Sequence, residues 1–94
     1  MREKNRKRVL ERVSEALELP GELMANMPKL TMTGNRRLHI EGHKGILQHD
    51  SDMISVNGVV MLLKVHGDAL EIVSMSAEEL LIAGRINSFE FEDI

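Results

Sequence analysis

The chain has 94 residues, of which 43% are hydrophobic and 29% charged, and its net charge is −3 with neutral histidines. One domain of this size buries only roughly two thirds of its surface, which argues against a large enclosed active-site cavity. Cysteine is absent, which excludes disulfides and thiolate chemistry, and two phenylalanines without tryptophan or tyrosine offer little for stacking nucleic-acid bases.

The N-terminal segment concentrates positive charge. Residues 1–12 hold six basic and two acidic residues, a net charge of +4, whereas the remainder holds six basic and thirteen acidic residues, a net charge of −7. Basic residues near an anionic membrane or a nucleic-acid backbone bind phosphate groups. The candidate membrane or anion contacts are Arg2, Lys4, Arg6, Lys7 and Arg8. The alternative is a solvated helix start that docks on the acidic body of a neighbouring copy.

Residues 1–28 are predicted to be a helical lead. Helical spacing of Val9, Val13, Ala16 and Leu17 gives an amphipathic helix, which Pro20 ends. A second short helical piece is expected before Pro28. No run of about 18 apolar residues could span a bilayer, and the N-terminus lacks the apolar core of a secretory signal, so a cytoplasmic location is expected.

From residue 29 to residue 94 the apolar period changes to two, which predicts a β-strand body. About seven to eight short strands are expected, from the segments KLTMT, RLHIE, GILQH, MISVN, VVMLLKVH, ALEIVSM, ELLIAG and INSFEFE. Connections of two to four residues favour antiparallel neighbours and hairpin turns, including one at Gly34-Asn35 and one at His66-Gly67-Asp68. We predict a small sandwich or barrel, with a short β-solenoid as the alternative because several segments end on glycine.

The segment around Val60 and Leu62 is apolar on both sides. Most predicted strands have one wet face, but here both faces need a cover, which is either the N-terminal helix or another subunit. Val60 and Leu62 are therefore the candidate self-association face. The open edges of a meander offer further sites where another chain can add a strand, so a homo-oligomer is expected.

The polar residues do not form a recognisable catalytic set. The four histidines, His39, His43, His49 and His66, fall on strands and turns without convergent spacing, which indicates surface histidines rather than a metal site. No nucleophile elbow or phosphate-binding loop is present. We expect no catalytic residue, no cofactor and no metal.

Three stretches carry a family resemblance. The first is LP followed by MP-L-T-TGN, the second is L-IE-HKGI with Gly42 where a more polar residue is expected, and the third is EELLIAG-I-SFEFE. Through these stretches the chain resembles the YqfC and YabP family of sporulation proteins from endospore-forming Firmicutes. The resemblance extends from about Glu18 to Glu92.

The resemblance implies a non-enzymatic protein that is made in the mother cell and is either needed for sporulation or associated with the spore envelope. It also implies a sporulation membrane protein as a candidate partner and a location in the cytoplasm or at the forespore outer membrane. Together with the strand edges and the apolar face around Val60 and Leu62, the resemblance favours a structural or assembly role. The alternative is a small β-barrel nucleic-acid-binding protein with a basic N-terminal arm, which the acidic body and the scarcity of aromatic residues argue against.

Overall fold

The computed structural model describes residues 26–94 and shows a mainly β architecture. Six strands occupy this region: β1 (Lys29–Thr33), β2 (Arg37–Glu41), β3 (Ile46–His49), β4 (Met53–Asn57), β5 (Met61–Met75) and β6 (Glu79–Asp93). They form one antiparallel sheet in the order β1-β2-β6-β5-β4-β3. Strands β3 to β6 form a meander, while β2 pairs with β6 and so attaches the β1–β2 hairpin to its far side.

The two long strands divide the sheet into two halves. Sheet half A consists of β1, β2, residues 79–83 of β6 and residues 71–75 of β5. Sheet half B consists of β3, β4, residues 61–66 of β5 and residues 88–93 of β6. Residues 67–70 of β5 and 84–87 of β6 connect the halves, and the β5–β6 register shifts there. The same two strands therefore serve both halves.

Two glycines allow β5 and β6 to cross this region at close range. A Cβ atom on Gly67 would overlap the carbonyl oxygen of Arg85, and a Cβ on Gly84 would lie 2.6 Å from the carbonyl oxygen of Ala69. Gly84 also has φ +134°, which side chains rarely adopt. Only glycine fits at either place, so these two positions set where the long strands bend.

Both halves contribute to one hydrophobic core. Leu38 and Ile40 of β2 and Ile54 and Val56 of β4 are fully buried in a single cluster, although β2 and β4 are not neighbours in the sheet. The remaining buried members of the core are Leu63, Val65, Leu70, Leu80, Ile82 and Ile86. Because a flat sheet could not bring these strands together, the sheet folds over on itself with its apolar face inside.

The structure confirms the mainly β, antiparallel prediction and corrects its details. Every predicted segment overlaps a strand, but the last four join in pairs, so residues 26–94 contain six strands rather than seven to eight. The hairpin expected at His66-Gly67-Asp68 is wrong, since β5 continues through it. The architecture is one open sheet instead of two sheets or a closed barrel, and its antiparallel pairing excludes the solenoid alternative.

β1 begins at Lys29, and the division between a helical lead of residues 1–28 and a β-strand body of residues 29–94 stays a prediction. The helix predicted over Val9 to Pro20 lies outside the described residues, and so do the charged positions Arg2, Lys4, Arg6, Lys7 and Arg8.

Candidate interaction surface

The two residues of the predicted self-association face lie in different environments. Val60 belongs to the turn before β5, where it is 38% exposed and its neighbour Val59 is 39% exposed. The turn is held by the Asn57 side chain, whose Oδ1 accepts a hydrogen bond of 2.9 Å from the Val59 N–H. Leu62 lies within β5, is half-buried, and pairs across the sheet with Asn57 and Glu92. Val60 is thus an exposed apolar tip, and Leu62 lies among polar neighbours.

Beyond Leu62, the outer face of sheet half B is charged. The Lys64 Nζ lies 3.0 Å from a Glu92 carboxylate oxygen, and the His66 Nε2 lies 3.0 Å from a Glu90 oxygen without the alignment of a hydrogen bond. The hydrogen bond to Glu92, and then the charge of Glu92, raise the pKa of Lys64. Desolvation opposes them, and the charge of Glu90 adds a smaller increase. These cross-strand pairs make this face polar.

The folded sheet has four strand edges that no other described strand covers. Two belong to half A, β1 and residues 71–75 of β5, and two belong to half B, β3 and residues 88–93 of β6. At such an edge every second residue directs its N–H and C=O groups outward, where another strand can pair with them. Strand edges are therefore the main candidate binding features of the described region.

Exposed apolar side chains accompany several of these edges. Val73 and Met75 are 57% and 59% exposed beside the β5 edge, and Phe91 is 62% exposed beside the β6 edge. Leu47 on β3 is 57% exposed, and Met32 on β1 is 39% exposed. These side chains were not predicted as exposed, because only the segment around Val60 was predicted to need a cover on both faces. An edge is free where a strand has a neighbour on only one side. The free edges can therefore be identified only when the strand order is known.

One histidine departs from the predicted surface role. His43, in the connection between β2 and β3, is 2% exposed. Its Nδ1 accepts a 3.0 Å hydrogen bond from the Gly45 N–H, which leaves the proton on Nε2, and Nε2 donates at 3.1 Å to the carbonyl oxygen of Ser76. The ring therefore joins the β2–β3 connection to the turn between β5 and β6. Its role is structural, and the prediction of a surface histidine is wrong here.

The other histidines lie on the surface or at its margin. His39 of β2 is half-buried, and its Nε2 is 3.7 Å from an oxygen of Glu79. Donor atoms of His39, Glu41 and Glu79 lie within 4.8 Å of one another on the outer face of half A. The two-residue spacing of His39 and Glu41 on one strand face was the available signal for this grouping. Glu41 also lies 3.9 Å from the Lys29 Nζ, so a cation already neighbours it.

Two surface clefts flank the β2–β3 connection. One, of about 370 Å³, is lined by Glu41, Gly42 and residues 76–79. The other, of about 330 Å³, is lined by Asn26, Gly42, His43, Lys44, Val59 and Glu78. Backbone hydrogen bonds hold this end together, including one of 2.7 Å from the Gly42 N–H to the Glu78 carbonyl oxygen. Arg36 and Arg37, which follow the Gly34-Asn35 turn, are exposed at the opposite end of β2.

Within residues 26–94, no helix is long and apolar enough to cross a membrane. The described residues define a small antiparallel β-protein whose strand edges are its main candidate binding features. The chain belongs to the YabP family, whose model matches residues 24–94. It is 32% identical over 80 residues to the uncharacterized protein YqfC of Bacillus subtilis (strain 168), an alignment that covers 80% of this chain and 81% of the relative. No solved structure is significantly similar to the chain. The resemblance drawn from the sequence is confirmed.

Proposed function

We propose that this protein is a non-enzymatic structural or assembly factor of endospore formation, acting in the mother cell. It would work by holding other protein chains, either its own copies or a sporulation membrane protein at the forespore outer membrane. Membership of the YabP family supports the sporulation role. The observation that carries the mode of action is the open sheet, whose described part presents four strand edges and the exposed tip at Val60.

Strand edges suit a protein whose task is to bind chains. Their hydrogen-bonding groups point in one direction at regular spacing, so a partner strand gains main-chain hydrogen bonds, while alternate side chains set specificity. The basic residues Arg2, Lys4, Arg6, Lys7 and Arg8 would add attraction to an anionic membrane surface. A peripheral position beside a membrane partner combines these two contacts.

The proposal is tested by deleting the gene in the spore-forming organism that encodes the chain and counting heat-resistant spores. We expect the count to fall and to recover when the wild-type gene is returned. A Val60→Lys variant should accumulate as a folded protein and fail to restore the count, because it places charge on the exposed apolar tip.

The matched control is an Ile94→Lys variant, which makes the same chemical change at another exposed apolar residue, beyond the end of β6. It should restore the spore count. A deletion strain that forms heat-resistant spores in normal number and with normal envelopes would contradict the proposed function.

A further inference from the structure

The four strand edges differ in how well they are protected against pairing. Edge strands of natural proteins are blunted by shortness, bulges, charge or proline. β3 has only four residues, and its register with β4 shifts at Leu47. The β5 edge is interrupted by a register shift between Ile72 and Ser74. The β6 edge carries three carboxylates, those of Glu90, Glu92 and Asp93.

β1 has none of these interruptions along its length. All five residues from Lys29 to Thr33 pair with β2 in unbroken register. The strand contains no proline and no acidic residue, and its threonines favour extended backbone. Its single charge, Lys29, lies at the first position and within 3.9 Å of Glu41 on the neighbouring strand. β1 is therefore the one regular, weakly charged edge among the four.

We propose that β1 pairs antiparallel with β1 of a second copy of this chain, with a two-fold axis at Thr31. Each chain's Lys29 then lies opposite the partner's Thr33, and Leu30 lies opposite the partner's Met32. The two Thr31 residues face each other, which is a favourable cross-strand pair. A parallel in-register pairing would instead bring the two lysines together, which is destabilising.

The side chains support this register on both faces of the sheet. Leu30 and Met32 pair with the fully buried Ile40 and Leu38, so they lie on the inner face. In the dimer each chain's Leu30 would contact the partner's Met32 and cover part of a side chain that is now 39% exposed. Lys29, Thr31 and Thr33 lie on the outer face, where they stay solvated.

The pairing closes on itself. Because both copies use the same strand, a two-fold contact gives a dimer and no open fibre. Five residues form a short interface compared with the roughly 800 Å² per partner of standard complexes, so we expect a weak, concentration-dependent dimer. This inference rests on the proposed function, since it assigns self-association to one particular edge.

Introducing charge at the two-fold axis tests the register. Thr31 is exposed, so Thr31→Lys and Thr31→Glu leave the monomer intact but place like charges opposite each other in the dimer. In sedimentation velocity across a concentration series, we expect the dissociation constant of each variant to rise about tenfold or more. An equimolar mixture of the two variants should dimerise again, because the introduced lysine of one chain then faces the introduced glutamate of the other. The control is Ser74→Lys at the exposed β5 edge, which should dimerise as the wild type does.

A single thiol gives an independent readout. The chain has no cysteine, so Thr31→Cys introduces one sulfhydryl group, and two of them would meet at the axis. Mild oxidation should give a disulfide-linked dimer in high yield, whereas Ser74→Cys should give little. Equal cross-linking at both positions would overturn the assignment to β1, and so would wild-type self-association that Thr31→Lys leaves unchanged.

Failure of the dimer and failure of the proposed function are distinguishable. A wild-type chain that stays monomeric at all concentrations overturns the dimer. If deletion of the gene still lowers the count of heat-resistant spores, the proposed function stands, and the protein acts through a different partner.

Discussion

The two halves of the sheet share their longest strands but expose different surfaces. The outer face of half B carries the cross-strand pairs Lys64–Glu92 and His66–Glu90. Of its two edges, β3 contains a register shift and β6 carries carboxylates. In half A the edge strand β1 is regular and nearly uncharged. By these criteria the edges of half B are better protected against strand addition than β1 of half A is.

This difference separates stability from binding. The core draws buried residues from both halves, and the bend at Gly67 and Gly84 holds the halves together. Changes there should affect the whole sheet at once. Changes on the outer surface of either half should leave the fold standing and alter only what that half can contact.

The largest effect is expected at the bend. Gly67→Ala would place a methyl group onto the Arg85 carbonyl oxygen, which is backbone and cannot rotate away. We expect a loss of about 3 kcal/mol or more in the free energy of unfolding, measured by urea denaturation. Gly34→Ala is the control, because its turn has open space and φ +53°, and it should cost only about 1 kcal/mol. Equal losses at the two positions would refute the role given to the bend.

Core truncations should show that the halves unfold together. Leu38→Ala removes side-chain volume from half A and Leu63→Ala removes it from half B, and each should cost about 2–5 kcal/mol. Because the two residues belong to one cluster, each variant should still unfold in a single transition by circular dichroism. Two separate transitions in either variant would show that the halves have independent cores.

A smaller loss is expected at the buried histidine. His43→Phe fills a similar volume but leaves the Gly45 N–H and the Ser76 carbonyl oxygen without their partner, at a cost of about 1–3 kcal/mol. His43→Gln retains a donor and an acceptor and should recover part of the loss. The Tm values of the wild type, His43→Phe and His43→Gln are compared by thermal denaturation. A His43→Phe variant as stable as the wild type would contradict the structural role of the histidine ring.

The smallest effect concerns the exposed pair on half B. Glu92 raises the pKa of Lys64 above its ordinary value of 10.5, so the charged ammonium is favoured in the folded state. The stabilisation is fully present below pH 10.5 and is lost as the pH rises through the higher folded value. A Lys64→Met variant should therefore be slightly less stable than the wild type at about pH 8, and the difference in Tm should shrink above pH 10.5. A difference that grows with pH would contradict this sign.

The sequence predicts the local features of the fold well, because they depend on alternation within one segment. Leu38 and Ile40 alternate with Arg37, His39 and Glu41, and the structure buries the first two. The Gly34-Asn35 turn was predicted for a similar reason, since the φ of +53° at Gly34 is a local requirement.

What could not be predicted depends on distant parts of the chain. In β5 the side chains that face the core are at odd positions at first, Leu63 and Val65, and at even positions later, Leu70 and Ile72. Such a change in the alternation is expected both where one strand bends and where the chain turns back in a hairpin, so the sequence does not distinguish the two. The need for glycine at position 67 comes from the Arg85 carbonyl oxygen, and the burial of His43 comes from Ser76. Likewise β1 is recognisable as a free edge only when β2 is known to pair with β6.

Amide hydrogen exchange of the wild-type chain at low and high protein concentration tests most directly whether half A alone is extendable. At high concentration, we predict slower exchange for the outward-facing amides of Lys29–Thr33 and unchanged exchange for residues 88–93 of β6. Exchange at β1 that does not depend on concentration would contradict pairing through β1, and so would protection that develops at the β6 edge instead.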